Sequence, residues 1–560
     1  MALDQVSVTE ITRNDRHRYR YVFLLGANDH VLPAAGSSGG ILTDSDRAEL
    51  LSRDLRLAPF GVAQMQMELV HLYAALAQAS EGLYVSWAAS DLAGGQLRPA
   101  FIVGRIRRLF PGIPVEEHDA ARLLAAPVPA LEEAGKQKGR ALWRYFEEDD
   151  MLRPQLLAME RAQNFARGRL SPEVVRTLYG EQVRMSASRM DQMNSCHFAF
   201  FMRYGLRVQE RRRAGLDAPQ IGTFLHYLLE NTAREAKKRG GFQNLEQETL
   251  HQLIQTYIDR FAKEHLGGLA EKSARFRYLF GRLKKTAYAI VDNVAQELAA
   301  SDFVPMAFEL EFGEQGQVPA VHVETAGTSL RVGGKVDRVD GWLKDGKLYL
   351  RVVDYKTGKK TFDLSEILHG VGVQMLLYLF ALQRQGQAVF GDAEEIVPAG
   401  VEYFPARDVI LSMERSASDA QIAAAMEKEL RRSGMFLYNA EVLEAMEHGA
   451  TSNPCYLPLS IKKDGTIAEG VATAAQLGKL SRYVDHLLQK NAQGLGQGNI
   501  DADPSYRSES KNACVYCPFA AACHFEEGRG GDRKHYIAAV QEEAFWDEID
   551  RICQDAEEEA

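Results

Sequence analysis

Apolar positions recur along this chain with two periods, and their alternation predicts an α/β protein. Near the start, the apolar run YVFLL (21–25) ends at Gly26 and gives way to GANDHVLPAAGSSGG, a buried strand running into a loop. TDSDRAELLSRDL (43–55) reads as a helix with Asp44 or Ser45 as N-cap. MELVHLYAALAQASEGLYVSWAAS (67–90) predicts a helix yielding at Gly82 to a strand, and strand–helix–strand order implies parallel strands. A Pro- and Ala-rich stretch over 111–136 marks a boundary, and 137–180 reads as a helical connector. The expected divisions are 1–110, 111–180, 181–540 and an acidic tail over 541–560.

From Leu330 the period shortens to two. Leu330, Val332, Val336, Val339 and Trp342 interleave with glycines and charges, Asp345-Gly346 follows, and LYLRVVDYK resumes the alternation. Asp-Gly between two strand-like runs is a strong hairpin signal. Symmetry about that turn sets Asp337 opposite Asp354, with Cβ atoms about 4.5–5.5 Å apart. Lys356, two residues on, projects from the same face as Asp354. Two helices frame the hairpin in sequence. IGTFLHYLLENTAREAK (221–237) puts Ile221, Phe224, Leu225, Leu228 and Leu229 on a core stripe with His226 at its flank. EILHGVGVQMLLYLFAL (366–382) places Gln374 and Tyr378 at i, i+4 on one face.

Two carboxylates at that separation repel unless a cation lies between them. Oxygen ligands favour Mg²⁺ or Mn²⁺ over Zn²⁺. A lysine beside them can hold an attacking water and stabilise developing phosphate charge, which completes a minimal kit for phosphodiester cleavage. The plainer alternative is a surface hairpin with solvated aspartates.

Length and charge narrow the setting. With 560 residues the chain can hold two to four domains, and its net charge of −10 argues against indiscriminate coating of DNA while leaving room for a local basic groove. Arg203, Arg207, Arg211, Arg212 and Arg213, with Lys359 and Lys360, are candidates to track DNA phosphates, or else form a solvated charged face. No signal-peptide pattern and no apolar run of about 18 residues is present, so a cytoplasmic protein without membrane contact is expected. Thiols stay reduced there, and clustered cysteines point to metal. Cys514-x₂-Cys517-x₅-Cys523, with Cys196 far upstream, departs from the paired C-x₂-C zinc spacing. Such a set suits an iron–sulfur cluster, although spacing leaves a Cys₄ zinc site open. Cys455 and Cys553 lack partners in this pattern.

His226, GxxDRxD (334–340), DYKTG (354–358) and QxxxY (374–378), in that order, strongly resemble the RecB-family nuclease domain of the PD-(D/E)XK superfamily. The resemblance implies a restriction-endonuclease-like mixed sheet flanked by helices. It implies Mg²⁺ (or Mn²⁺) on His226, Asp337 and Asp354, and a catalytic set of Asp337, Asp354, Lys356, Gln374 and Tyr378. Glu311, on the strand-like FELEF (308–312), is a candidate further acid. SCHFAFFMRYGLRVQE (195–210) and NACVYCPFAAACHF (512–525) resemble the iron-staple elements of the AddB family, the second subunits of AddAB helicase–nucleases. That likeness implies a 4Fe–4S cluster on Cys196, Cys514, Cys517 and Cys523. FLLGANDHVLP, DRAELL and LYAALAQASEGLYVS resemble the last motor-domain segment of UvrD-type superfamily 1 helicases, with Gln78 where that family carries an arginine finger. No G-x-x-x-x-G-K-[ST] loop is present, so a degenerate lobe without ATPase chemistry is expected.

Together these likenesses imply the C-terminal part of an AddB-like subunit, whose family chains are about twice this length. Its expected work is exonucleolytic, metal-dependent hydrolysis of unwound single-stranded DNA in double-strand break repair and recombination, in a heterodimer with an AddA-type helicase–nuclease. The alternatives are a non-catalytic DNA-binding scaffold that keeps the nuclease fold, and a stand-alone iron–sulfur exonuclease.

Overall fold

The computed structural model describes residues 6–559 except 14–16, 35–41, 92–93, 117–122, 137–140, 164–165, 210–217, 326, 392, 410 and 415. The chain forms two compact units, Met1–Met159 and Glu160–Ala560. The division falls at 159/160 rather than at 180/181.

In the first unit, β1 (Tyr19–Leu24) pairs in parallel with β2 (Ala79–Val85) across α1 (Asp44–Ser52) and α2 (Gly61–Leu76). Thr43, and neither Asp44 nor Ser45, caps α1, because Asp46 stands three residues on and the two make reciprocal bonds in a capping box. The α2 helix ends at Leu76, before the expected switch, and Gly82 lies inside β2. A Cβ there would come 2.8 Å from the Tyr21 ring on the neighbouring strand, so the glycine serves the strand pairing and not the helix end. Leu24, Ala27, Leu72, Ala100 and Val103 form a small core. The stretch expected to be a boundary contains α3 (Pro127–Lys136), which packs Ala130, Leu131 and Ala134 against Trp143, Phe146 and Leu156.

The second unit is built on an eight-stranded mixed sheet. Its centre is the long β6 (Thr328–Lys344), flanked by β7 (Lys347–Lys356) on one side. Over its first residues β6 is sandwiched between β3 (Gln182–Ser186), parallel to it, and β5 (Val321–Thr325), antiparallel, and from Gly334 on it pairs with β4 (Val304–Phe312) on the edge away from β7. Beyond β7 come β8 (Glu395–Pro405), parallel to it, then β9 (Ser433–Leu437) and β10 (Val471–Ala472). Turn residues Asp345 (φ 51°) and Gly346 (φ 78°) both take positive φ, as a two-residue type I′ turn requires. The ladder runs from Lys344↔Lys347 to Arg338↔Val353, so the register anticipated from the Asp-Gly turn is the one formed.

Both faces of the sheet are covered. On one, α4 (Ala218–Lys238), α5 (Gln247–Glu264) and α6 (Ala274–Ala299) bury Phe224, Leu228, Ile254 and Ile290 against Phe308, Val353 and Tyr355. On the other, the region expected as one helix over 366–382 is two, α7 (Leu364–Leu368) and α8 (Gln374–Gln385). Gly370 (φ 73°) and Gly372 (φ 80°) supply the turn between them, which residues with a Cβ rarely adopt. The expected acidic tail is also a packed element. In α10 (Glu542–Glu559), Phe545, Trp546, Ile549 and Cys553 are buried in the main core beside α9 (Ala474–Gly496), and the acidic residues lie on the other faces of the helix. Among the described residues no helix is long and apolar enough to cross a membrane.

Candidate active site

The hairpin carries its functional residues to the end of the β6–β7 ladder opposite the turn. Asp337 lies one residue past the last ladder pair, and its Oδ2 accepts the backbone N–H of Tyr355 at 2.8 Å. Helix α4 supplies His226, whose Nδ1 stands 3.3 Å from Asp337 Oδ1 and 3.7 Å from Glu309 Oε1. Its Nε2 lies 3.2 Å from the Tyr355 carbonyl oxygen. His226, Glu309 and Asp337 each bring a ligand atom within a 4.8 Å sphere of mutual distance. Lys356 Nζ is 2.5 Å from Asp354 Oδ2, yet no well-aimed hydrogen bond satisfies that buried oxygen.

Glu309, and not Glu311, stands beside His226 and Asp337. The pairs Phe308↔Arg338 and Leu310↔Val336 set Glu309 level with Asp337, whereas Glu311 sits one step on, exposed and opposite Lys335. Both glutamates alternate onto the same strand face, so sequence offered a choice that only register decides. Glu309 also adopts φ 51°, a left-handed conformation uncommon for residues with a side chain. Lys335 Nζ pairs with its Oε2 at 2.5 Å.

Electrostatics single out the same residues. Burial pushes the Asp354 carboxyl up to about 6, with Lys356 opposing and Asp337 adding to the rise. Burial disfavours charge on His226, but Asp337 and Glu309 outweigh it and hold the imidazolium up to about 10. Glu309 is held below the usual carboxylate range. Burial works against this, and His226 and Lys335 overcome it.

Gln374 opens α8, and its side chain and the Lys335 backbone N–H both hydrogen-bond the Tyr378 hydroxyl. Burial pushes that phenol up to about 12. Its ring stacks on Phe312 at 5.0 Å, and its oxygen occupies the space a Cβ on Gly334 would need. The motif glycine is therefore what lets Tyr378 reach the hairpin.

The basic residues divide. Arg211, Arg212 and Arg213 lie outside the described residues. Arg207 is exposed, and Arg203 stacks over the Phe519 ring at 5.7 Å beside the distal cysteines. Lys359 and Lys360 are not free cations, since they pair with Glu429 at 3.6 Å and Glu366 at 3.2 Å.

All six cysteines are free thiols. Burial raises the pKa of Cys196, Cys514 and Cys523, that of Cys196 to about 12. Arg167, which no motif flagged, donates from Nη2 to the Cys523 carbonyl at 2.7 Å, with Cys523 Sγ at 3.6 Å. It also pairs with Asp532 and covers the Phe198 ring at 4.3 Å. The segments bearing the cysteines grip the connection between Lys356 and Gln374 from both sides. Asn194 donates to the Gly370 carbonyl at 2.7 Å, and Asp191 accepts the Val373 N–H at 3.2 Å. Arg507 pairs with Asp363 at 2.7 Å, and His535 Nε2 meets His369 Nδ1 at 2.9 Å.

A helix-flanked mixed sheet that gathers a histidine, three carboxylates and a lysine at one end of a hairpin defines an α/β fold of the nuclease type. The chain belongs to the PD-(D/E)XK nuclease superfamily, whose family model matches residues 184–524. It is similar to the B subunit of the ATP-dependent helicase/deoxyribonuclease of Caldanaerobacter subterraneus subsp. tengcongensis, 31% identical over 97% of this chain and 49% of that protein. The proteins of the same name from Acetivibrio thermocellus (31% identical, 94% and 48%) and Clostridium acetobutylicum (29%, 98% and 50%) are similar over matching shares. The chain thus spans about half the length of these curated relatives.

Proposed function

We propose that the second unit is a divalent-cation-dependent deoxyribonuclease that hydrolyses single-stranded DNA. The observation that carries this reading is the convergence of His226, Glu309 and Asp337 within 4.8 Å beside the Asp354–Lys356 pair. Asp337 and Glu309 hold a proton on His226 that a cation would displace on binding, and the resulting donor set of one imidazole and carboxylate oxygens fits Mg²⁺ or Mn²⁺. When bound there, the cation supplies Lewis-acid polarisation of the scissile phosphodiester.

The chain's own groups do the rest. Tyr355 fixes Asp337 and faces His226 through its main chain. Lys356 orients the attacking water and offsets charge growing on the phosphate oxygens. Tyr378 holds Gln374 at the rim, where its amide can orient the strand. The test is cleavage of a single-stranded oligonucleotide with and without Mg²⁺, by wild type, Asp337→Ala and Lys356→Ala. Cation-dependent cutting by the wild type alone is expected. A wild-type protein that binds the oligonucleotide and leaves it intact in both Mg²⁺ and Mn²⁺ overturns the assignment in favour of a DNA-binding scaffold.

The four thiols at 196, 514, 517 and 523 fit a 4Fe–4S cluster. Three closely spaced thiols with a remote fourth, all unbridged, supply the four thiolates such a cluster needs. The relatives are named as one component of a helicase/deoxyribonuclease, which supports a heterodimer with an AddA-type motor protein that delivers unwound strands during double-strand break repair.

A further inference from the structure

Directly beneath the cation site lies a cluster of charge that the chemistry above does not use. Arg338, Arg351 and Arg432 meet Asp340, Glu297 and Glu402, and each of the six side chains is at most 3% exposed. Arg338 Nε is 2.8 Å from Asp340 Oδ1, and Arg351 bridges Asp340 at 2.8 Å and Glu402 at 2.9 Å. Arg432 closes the set on Glu297 through Nε at 3.0 Å. Three guanidinium groups face three acidic side chains, and the cluster draws β6, β7, β8 and α6 together.

Burying such a set recovers little net stability, because desolvation offsets most of the attraction. What it provides is fixed geometry, and one residue transmits that geometry upward. Arg338 Nη1 donates to the Tyr355 hydroxyl at 3.1 Å, and the Tyr355 ring is clamped edge-on by Phe404 at 5.6 Å. The main chain of the same residue donates to Asp337 and faces His226 Nε2. Tyr355 is 4% exposed and has no route to substrate. Two of the three converging ligands thus take their orientation from a backbone whose side chain is anchored in the buried ion network.

We propose that Arg338 and the Tyr355 hydroxyl are positioning residues that hold the Asp337 and His226 ligand atoms in place for the cation. This rests on the nuclease reading for its purpose, but not for its measurement. Groups that orient metal ligands typically change metal affinity or activity about 10- to 100-fold when removed. The experiment titrates Mn²⁺ calorimetrically into wild type, Tyr355→Phe and Arg338→Lys, and follows oligonucleotide cleavage in parallel. Tyr355→Phe keeps the ring and backbone, and Arg338→Lys keeps the charge but loses the fork that spans Asp340 and Tyr355.

Both variants should bind Mn²⁺ about 10- to 100-fold more weakly. At saturating Mn²⁺, kcat should fall while KM for the oligonucleotide stays within about twofold, a split that general loosening of the fold would not give. Variants that bind Mn²⁺ as wild type does overturn the proposal whatever the cleavage result. Weakened Mn²⁺ binding in a protein whose wild type never cuts DNA upholds it and refutes only the nuclease reading. A wild type that takes up no Mn²⁺ refutes both.

Discussion

Gly334→Ala tests how α8 is docked on the hairpin. At φ 148° the backbone favours glycine, and the new Cβ would fall on the Tyr378 hydroxyl oxygen. Overpacking costs about 1–3 kcal/mol, and holding alanine at that φ costs about 1–3 kcal/mol more. The single variant should therefore lose about 2–6 kcal/mol. Tyr378→Phe alone gives up the hydrogen bonds from Lys335 and Gln374, each worth about 0.5–1.5 kcal/mol. In the double variant the clashing oxygen is gone and the nearest ring carbon, Cζ, is 3.0 Å from the Cβ position. Steric cost then relaxes while backbone strain remains, so the double should be about 1–2 kcal/mol more stable than additivity allows. Urea denaturation of the four proteins measures this coupling. Cleavage by Gly334→Ala should drop about 10- to 100-fold, since α8 carries Gln374 and small displacements are costly to catalysis. Additive losses, or an unaffected single variant, would refute the claim that this glycine exists to admit Tyr378.

Three further outcomes follow from the geometry. Glu309→Gln should weaken Mn²⁺ binding and cleavage while Glu311→Gln leaves both unchanged, and equal effects from the two would show the register argument to be wrong. Cys517→Ala should give a colourless protein that is protease-sensitive over 500–540, because a cluster joining Cys196 to Cys514 closes a loop whose entropy is worth roughly 5 kcal/mol; zinc without iron or sulfide in the wild-type protein would return the site to a Cys₄ set. Burial holds the Asp191 carboxyl up to about 7, above its unfolded value of about 3.9. Between those values the native state binds the extra proton and stability falls as pH rises, by up to about 4 kcal/mol, the opposing pull of Lys360 already being part of that shift. Asp191→Asn keeps an acceptor for the Val373 N–H, so urea melts across about pH 4–7 should show a flatter slope, and an unchanged slope would assign the pH dependence elsewhere.

What sequence made legible was whatever short-range rules control. The Asp-Gly turn fixed the hairpin register, and that register alone places Asp337 and Asp354 at the same end of the ladder. The apolar stripe of α4 likewise put His226 at the edge of the core, facing the sheet. Legibility failed where a decision depended on elements far apart in sequence. Glu309 and Glu311 share a strand face, and only the pairing of β4 with β6 says which of them is level with Asp337. The helix over 366–382 looked continuous because its apolar spacing is, yet Gly370 and Gly372 break it where Asn194 and Asp191 reach in from the stretch before Cys196. That break has a consequence for the cysteines. A cluster known only from spacing reads as a clasp remote from chemistry, but both cysteine-bearing segments hold the turn that leads into Gln374. Loss of the proposed cluster should therefore loosen the Gln374–Tyr378 end of the candidate active site as well as the fold, and the cleavage rate of Cys517→Ala should fall further than its occupancy of the folded state.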